Sequence, residues 1–339
     1  MGRTMENVEN KPKLRRSSLE LLRIICMLFI VAHHFGMHGQ YGDMEISQFN
    51  RFIIVLLSAG GKLGVNVYIL ISGYFLVNSK FKLKRVVNTV LITIFYSVAV
   101  YISLVLISPS LQFSGRDLVE SIFVIKNNGY WFVTCYVAMV ILSPFINKLI
   151  HALNQKEHII LIVILVLMQL ELPPPSQYFP LSETAWFITL YIIAGYLRKY
   201  PNKYFDSKLI TGLASLVLCI VIGVSKMTGM NNIVCILTSI ALFCFFNNLN
   251  IKTNKFINLI SKTTFAIYLI HDNNFMRVYL WKELLNCPFH AQYNSFWLFS
   301  MCAILLVFFA CMIVELLRIG ITALIILPFK KKKIKTEVK

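Results

Sequence analysis

Ser18-Leu19-Glu20-Leu21-Leu22-Arg23-Ile24-Ile25-Cys26-Met27-Leu28-Phe29-Ile30-Val31-Ala32-His33-His34 reads as an apolar helix carrying four ionisable side chains, and their spacing governs the reading of the whole chain. At about 100° per residue, the steps from Arg23 to His34 end some 20° past three full turns, so the two side chains share a face about 16 Å apart along the axis. Glu20 lies one turn before Arg23, within reach as an i,i+3 partner. His33 points roughly 80° away from Arg23.

This stretch is the first of ten apolar runs, near 19–37, 52–77, 86–108, 130–150, 158–172, 185–197, 209–225, 232–248, 256–272 and 296–328. A helical span needs about 20 apolar residues. The fifth and sixth runs are short enough to be tilted, re-entrant or merged, and the last is long for one span. The 339 residues are 57% apolar and 14% charged, against about 45–50% and 25% in soluble domains, so the chain cannot cover a water-facing surface. Disorder needs the opposite composition. The eight cysteines are scattered, mostly inside apolar runs and without a C-x-x-C pair, which excludes a disulfide scaffold. A backbone in lipid must satisfy its own hydrogen bonds, and the alternation of a β-barrel is absent. The expected fold class is therefore all-α: a polytopic membrane helical bundle of about ten transmembrane helices, placed in the cell membrane.

The formal charge of +18 reports topology. Of the thirty-three basic residues, twenty-four fall in the N-terminal tail, in every second loop and in the C-terminal tail. The alternate loops hold seven, Arg51, Lys62, Arg116, Lys126, Lys226, Arg277 and Lys282, together with most of the acids. The positive-inside rule then puts both termini in the cytoplasm. Nothing aromatic interleaves Lys330–Lys333, so anionic lipid headgroups rather than nucleic acid are their expected neighbours. The first run carries Glu20 and Arg23 and lacks a small-residue cleavage site, which marks a retained span rather than a signal peptide. The expected layout is a cytoplasmic tail over 1–17, a single ten-span domain over 18–329 and a lysine-rich cytoplasmic tail over 330–339, with no loop long enough to fold alone.

Charge inside a bilayer costs at least about 2.5–3.5 kcal/mol at the helix centre and usually marks function. Glu20 and Arg23 read blandly as an interfacial salt bridge and His34 as a satisfied bundle histidine. Together on one stripe they suit a particular chemistry. Arginine is a permanent cation for phosphate, and a neutral histidine can take a proton from a hydroxyl. A thioester donor with a long phosphorylated handle would place its charged end near Arg23 and its acyl carbon near His34. The expectation is one shared internal passage; division of the two groups between separate cavities would count against an enzyme.

Other candidates are open in both directions. Lys82, Lys84 and Arg85 read, on the residues alone, as enforcing topology. Tyr130 and Trp131 belong to an aromatic belt or to a sugar-stacking platform. His271 and Asp272 end a span, and since adjacent residues on a helix do not face each other, they read as orientation or acceptor binding rather than as a pair. His34 and His38 have i,i+4 spacing that suits zinc, but no third ligand is visible in sequence and no metal is expected.

The chain resembles acyltransferase family 3, the integral-membrane O-acyltransferases of cell-envelope and extracellular polysaccharides. Arg23, ten intervening residues and His34 are similar to the family's first-span pattern, with Glu20 as its acidic residue. Ile71-Ser72-Gly73-Tyr74-Phe75 is similar to its second-span ending, followed by Lys82-Leu83-Lys84-Arg85 as its basic motif; Gly129-Tyr130-Trp131-Phe132 with Tyr136, Ser143-Pro144-Phe145 and Phe265-Ala266-Ile267-Tyr268-Leu269-Ile270-His271 extend the likeness. One departure is the basic motif, where Lys82 and Arg85 stand in place of two arginines. The resemblance implies transfer of an acetyl or other acyl group from cytoplasmic acetyl-CoA to a sugar hydroxyl, with His34, Glu20 and Arg23 in catalysis. It further implies that Arg23, Lys82, Lys84 and Arg85 hold the donor, and that Tyr130, Trp131 and His271 meet a polysaccharide or lipid-linked sugar acceptor. Some members carry an added extracytoplasmic hydrolase-like domain, so the membrane part here either acts alone or works with a separate extracytoplasmic transferase partner. The rival reading from the residues is a polysaccharide or lipid-linked oligosaccharide flippase, which also needs buried charge.

Overall fold

The computed structural model describes residues 15–42, 45–125, 129–170, 182–225 and 229–337, with backbone alone at 224–225 and 326–337. Residues 1–14 of the expected N-terminal tail and the side chains of the lysine tail lie outside this description. The helices are α1 Ser17–His38, α2 Gln48–Leu76, α3 Leu83–Ile107, α4 Gly115–Ile122, α5 Trp131–Ala152, α6 Gln155–Leu167, α7 Glu183–Lys199, α8 Lys208–Ser225, α9 Ile233–Asn248, α10 Lys255–His271, α11 Asn274–Val278, α12 Cys287–His290 and α13 Phe296–Glu337, with a π-helical turn Tyr279–Leu284 before α12. No strand occurs among the described residues.

Each of the ten apolar runs falls on a helix, but five of those helices are long and apolar enough to cross a membrane unaided: α1, α2, α3, α5 and the Phe296–Ile325 part of α13. The others are shorter. The thirteen residues of α6 rise about 20 Å against the roughly 30 Å of a hydrocarbon core. The chain is thus an all-helical, multi-pass membrane protein.

The bundle is arranged around α1, which packs against α2, α9, α10 and α13. Interhelical packing in lipid depends on small residues and polar clasps, and both occur here. A Cβ on Gly64 of α2 would lie 2.8 Å from the Cys26 carbonyl of α1, so only glycine permits this approach. The helices α1 and α10 run side by side in the same direction. Ser17 Oγ donates to Asn258 Oδ1 at 3.1 Å, Ser261 Oγ donates to Glu20, and near the far end of α1 the His34 ring meets the His271 ring. Trp186 Nε1 of α7 donates to Asn66 Oδ1 of α2 at 3.0 Å, joining two more helices. Behind the histidines, the fully buried Phe35 packs against Trp281 of the π-helical turn and Phe296 of α13, with ring centroids 5.7 and 5.8 Å away.

Candidate active site

Arg23 Nη1 donates to Glu20 Oε1 at 2.8 Å, the one-turn pair that the spacing predicts. Glu20 is buried and also accepts from Ser261, while Arg15 stands 3.9 Å from its other oxygen. A carboxylate removed from water needs such donors. These residues border a cavity of about 310 Å³ whose cations are Arg15, Arg23 and Lys262. Lys82, Lys84 and Arg85 do not border it. Lys82 and Lys84 are exposed at the start of α3, and Thr89, one turn beyond Arg85, is the α3 residue that reaches the cavity.

His34 faces a second cavity of about 250 Å³, shared with His33, His38, Lys62, Trp131, Asp272 and Arg277. The two cavities have three bordering residues in common, Tyr68, Phe132 and Phe265. The single passage expected between Arg23 and His34 is therefore corrected to two adjoining cavities that share an aromatic border. Helix periodicity placed both side chains on one face of α1, but it carries no information about side chains that α2, α5 and α10 insert between them.

The histidines form a directional chain. His271 Nδ1 lies 2.6 Å from the Ile267 carbonyl oxygen, which can only accept, so this nitrogen carries the proton. In a neutral ring His271 Nε2 is then an acceptor, and it lies 2.8 Å from His34 Nδ1, which must donate. The tautomer assigned from this network leaves His34 Nε2 with its lone pair, and that nitrogen has neither a hydrogen-bond partner nor a sealed position among the described residues. Asp272 Oδ1 stands 3.5 Å from His34 Nδ1 and accepts from Arg277 Nε at 2.8 Å. Burial works against the Arg277 charge, but the hydrogen bond and attraction of Asp272 outweigh it and hold its pKa above the ordinary arginine value.

Asp272 is the residue that sequence reasoning assigned least well. It is the C-cap of α10, with φ −99° and ψ 14°, so the rule that neighbours on a helix diverge does not reach it; His271 and Asp272 both converge on His34. It also supplies the third donor that the His34–His38 spacing lacked, since one ligand atom from each of the three lies within 4.8 Å of the others. In the assigned tautomer His34 Nδ1 is protonated and hydrogen-bonded to His271, and Asp272 Oδ1 accepts from Arg277; His34 and His38 stand 3.5 and 3.7 Å from that oxygen.

Two expected acceptor contacts lie elsewhere. His271 is fully buried behind His34, and Tyr130, also buried, donates to the Leu269 carbonyl at 2.6 Å and accepts from Asn273 Nδ2 at 2.9 Å, fixing the end of α10. Trp131 does face the histidine cavity. Lys62, grouped by charge among loop residues, stands in the middle of α2 and places its ammonium 4.5 Å from the Trp131 ring centroid. Buried polar atoms on the same walls, Tyr68 OH, Tyr268 OH and Asp272 Oδ2, have no hydrogen-bond partner among the described residues.

The family model for acyltransferase family 3, described as an acyltransferase domain, matches residues 16–316, and the chain belongs to that family. The match takes in the histidine chain and the residues of both cavities except Arg15. No curated protein and no solved structure matches the chain.

Proposed function

We propose that this membrane acyltransferase moves an acetyl or other acyl group from cytoplasmic acyl-CoA to a hydroxyl of a cell-envelope or extracellular polysaccharide, or of its lipid-linked precursor, in the cell membrane. The observation that carries the reading is the hydrogen-bond chain that leaves His34 Nε2 as a free base in a cavity adjoining a cationic one.

The charge distribution supports both termini on the cytoplasmic side, which turns the arginine cavity toward the cytoplasm. There Arg23, Arg15 and Lys262 meet the donor's phosphates, while Glu20 holds the Arg23 fork in place. Lys82, Lys84 and Arg85 act, on this reading, at the membrane surface. The acyl-bearing arm passes the partition when Tyr68, Phe132 and Phe265 part. His34 Nε2 then removes the proton from the acceptor hydroxyl as its oxygen bonds to the thioester carbonyl carbon. The thiolate leaves, taking a proton, and the ester remains on the sugar. His271 keeps the His34 proton on Nδ1, and Asp272 steadies the imidazolium that forms. Closing the aromatic partition behind the arm excludes water that would hydrolyse the thioester.

Two adjoining cavities with an aromatic border are also what a transporter needs, and one experiment separates the readings. Mass spectrometry of envelope glycans with and without the gene is expected to show acyl esters lost while the glycan itself is still exported. Loss of the glycan together with its esters favours transport, and unchanged esters overturn the proposal.

A further inference from the structure

The histidine cavity contains a cation that the acyl-transfer reading does not use. Lys62 sits fourteen residues into α2, within a helix long and apolar enough to span a membrane, where a charged group is expensive unless it has work to do. Its ammonium rests 4.5 Å from the Trp131 ring centroid and makes no ion pair or hydrogen bond among the described residues. Glu183 and Asp272 act on it through space without contact, and Asp272 is already engaged with Arg277. Of the charges that border the cavity, Arg277 and Asp272 cancel each other; Lys62 is the surplus.

We infer that Lys62 is the specificity residue of the acceptor site, and that the acceptor presents an oxyanion, a carboxylate or a phosphate, beside the sugar hydroxyl that is acylated. The proposal rests on the acyl-transfer reading and deepens it. An aromatic face with a cation at it recognises a sugar ring and its charged substituent together, because a π-face packs on the ring while the ammonium is drawn from the aromatic to the stronger oxyanion. A neutral acceptor would leave Lys62 unanswered.

The test uses full-length protein in membranes, with labelled acetyl-CoA and three acceptor probes: methyl glucuronide, its methyl ester, and methyl glucoside 6-phosphate. Wild-type protein is expected to acylate both anionic probes at least tenfold faster than the neutral ester, and the ratio between the two anions distinguishes carboxylate from phosphate. Lys62→Gln is expected to remove the preference through a raised KM for the anionic probes, whereas Lys62→Arg keeps it. Protection of the protein against heat by acetyl-CoA should be the same in all three proteins, which a merely structural role for Lys62 would not allow. An equal rate on charged and neutral probes, or a preference that survives Lys62→Gln, overturns the inference while leaving acyl transfer standing. Transfer to none of the probes, together with unchanged esters on the cell's own glycans, overturns acyl transfer itself.

Discussion

The two cavities that meet at Tyr68, Phe132 and Phe265 are built on different principles. The arginine cavity sets three cations against one carboxylate, and Glu20 is tied to two of them; it selects by charge. The histidine cavity has its one carboxylate already paired, and its distinctive feature is the orientation of hydrogen bonds: the His33, His34 and His271 rings in fixed tautomers, and three buried polar atoms without partners. It selects by where a proton can go. A surplus of phosphate-seeking charge beside a poised base suggests a division of labour, with binding energy from one chamber holding the reacting bond in the other.

The comparison breaks most visibly at His34. Replacing it with alanine removes the base but none of the donor contacts, and transfer is expected to fall about 10²- to 10⁴-fold, measured as ester formation in membranes containing wild-type amounts of protein. His271→Leu is expected to cost less, between about ten- and a thousand-fold, because the base remains and only its tautomer is freed. In both the wild type and this variant the rate should fall on acidification, since a protonated imidazole accepts nothing, and a rate that rises instead would refute the base assignment. Arg23→Gln belongs to the other chamber. There the expected change is a rise in donor KM of about ten- to a hundredfold, the roughly 1.5–3 kcal/mol of a charged hydrogen bond, with kcat nearly kept. Lys262→Gln should act in the same direction, while Lys82→Gln and Lys84→Gln should leave donor KM unchanged. A loss of stability rather than of binding is expected at Gly61, where an alanine Cβ would sit 2.1 Å from His33 Cγ. His33 must then give up its 2.6 Å hydrogen bond to the Ser58 carbonyl. The cost should be about 1–3 kcal/mol of stability, read as a lower melting temperature, with the His34 chain intact.

The legible parts of this molecule were those written in local spacing. The i,i+3 pair of Glu20 and Arg23, the shared face of Arg23 and His34 on α1, and the helical nature of all ten apolar runs follow from period and composition alone. What was hidden depends on partners distant in sequence. His271 meets His34 because α1 and α10 run in parallel, and Asp272 joins them because α10 ends one residue too early for helix geometry to apply. Lys62 was misplaced because counting charges to find loops treats every lysine as interfacial, while this one is held inside α2 by an aromatic ring from α5. The partition was invisible because its three members come from α2, α5 and α10, and each alone reads as an ordinary aromatic in a span. The basic run at Lys82–Arg85 shows the reverse: conspicuous in sequence, yet set outside the cavity where Arg15 and Lys262, unremarkable in sequence, stand.

The partition can be tested by substitution before it is seen to move. Phe132→Ala thins the wall that both chambers share, and a several-fold rise in donor hydrolysis relative to transfer is expected, because water gains the route that the acyl arm uses. An unchanged ratio would mean the wall lies off that route.

The most direct measurement is a structure of the full-length protein in lipid with a non-hydrolysable thioether analogue of acetyl-CoA. The account predicts phosphates against Arg23 and Lys262, the thiol-bearing arm threaded between displaced side chains of Tyr68, Phe132 and Phe265, and the acyl carbon beside His34 Nε2. An analogue confined to the arginine cavity with the wall undisturbed, or bound outside both chambers, would contradict it.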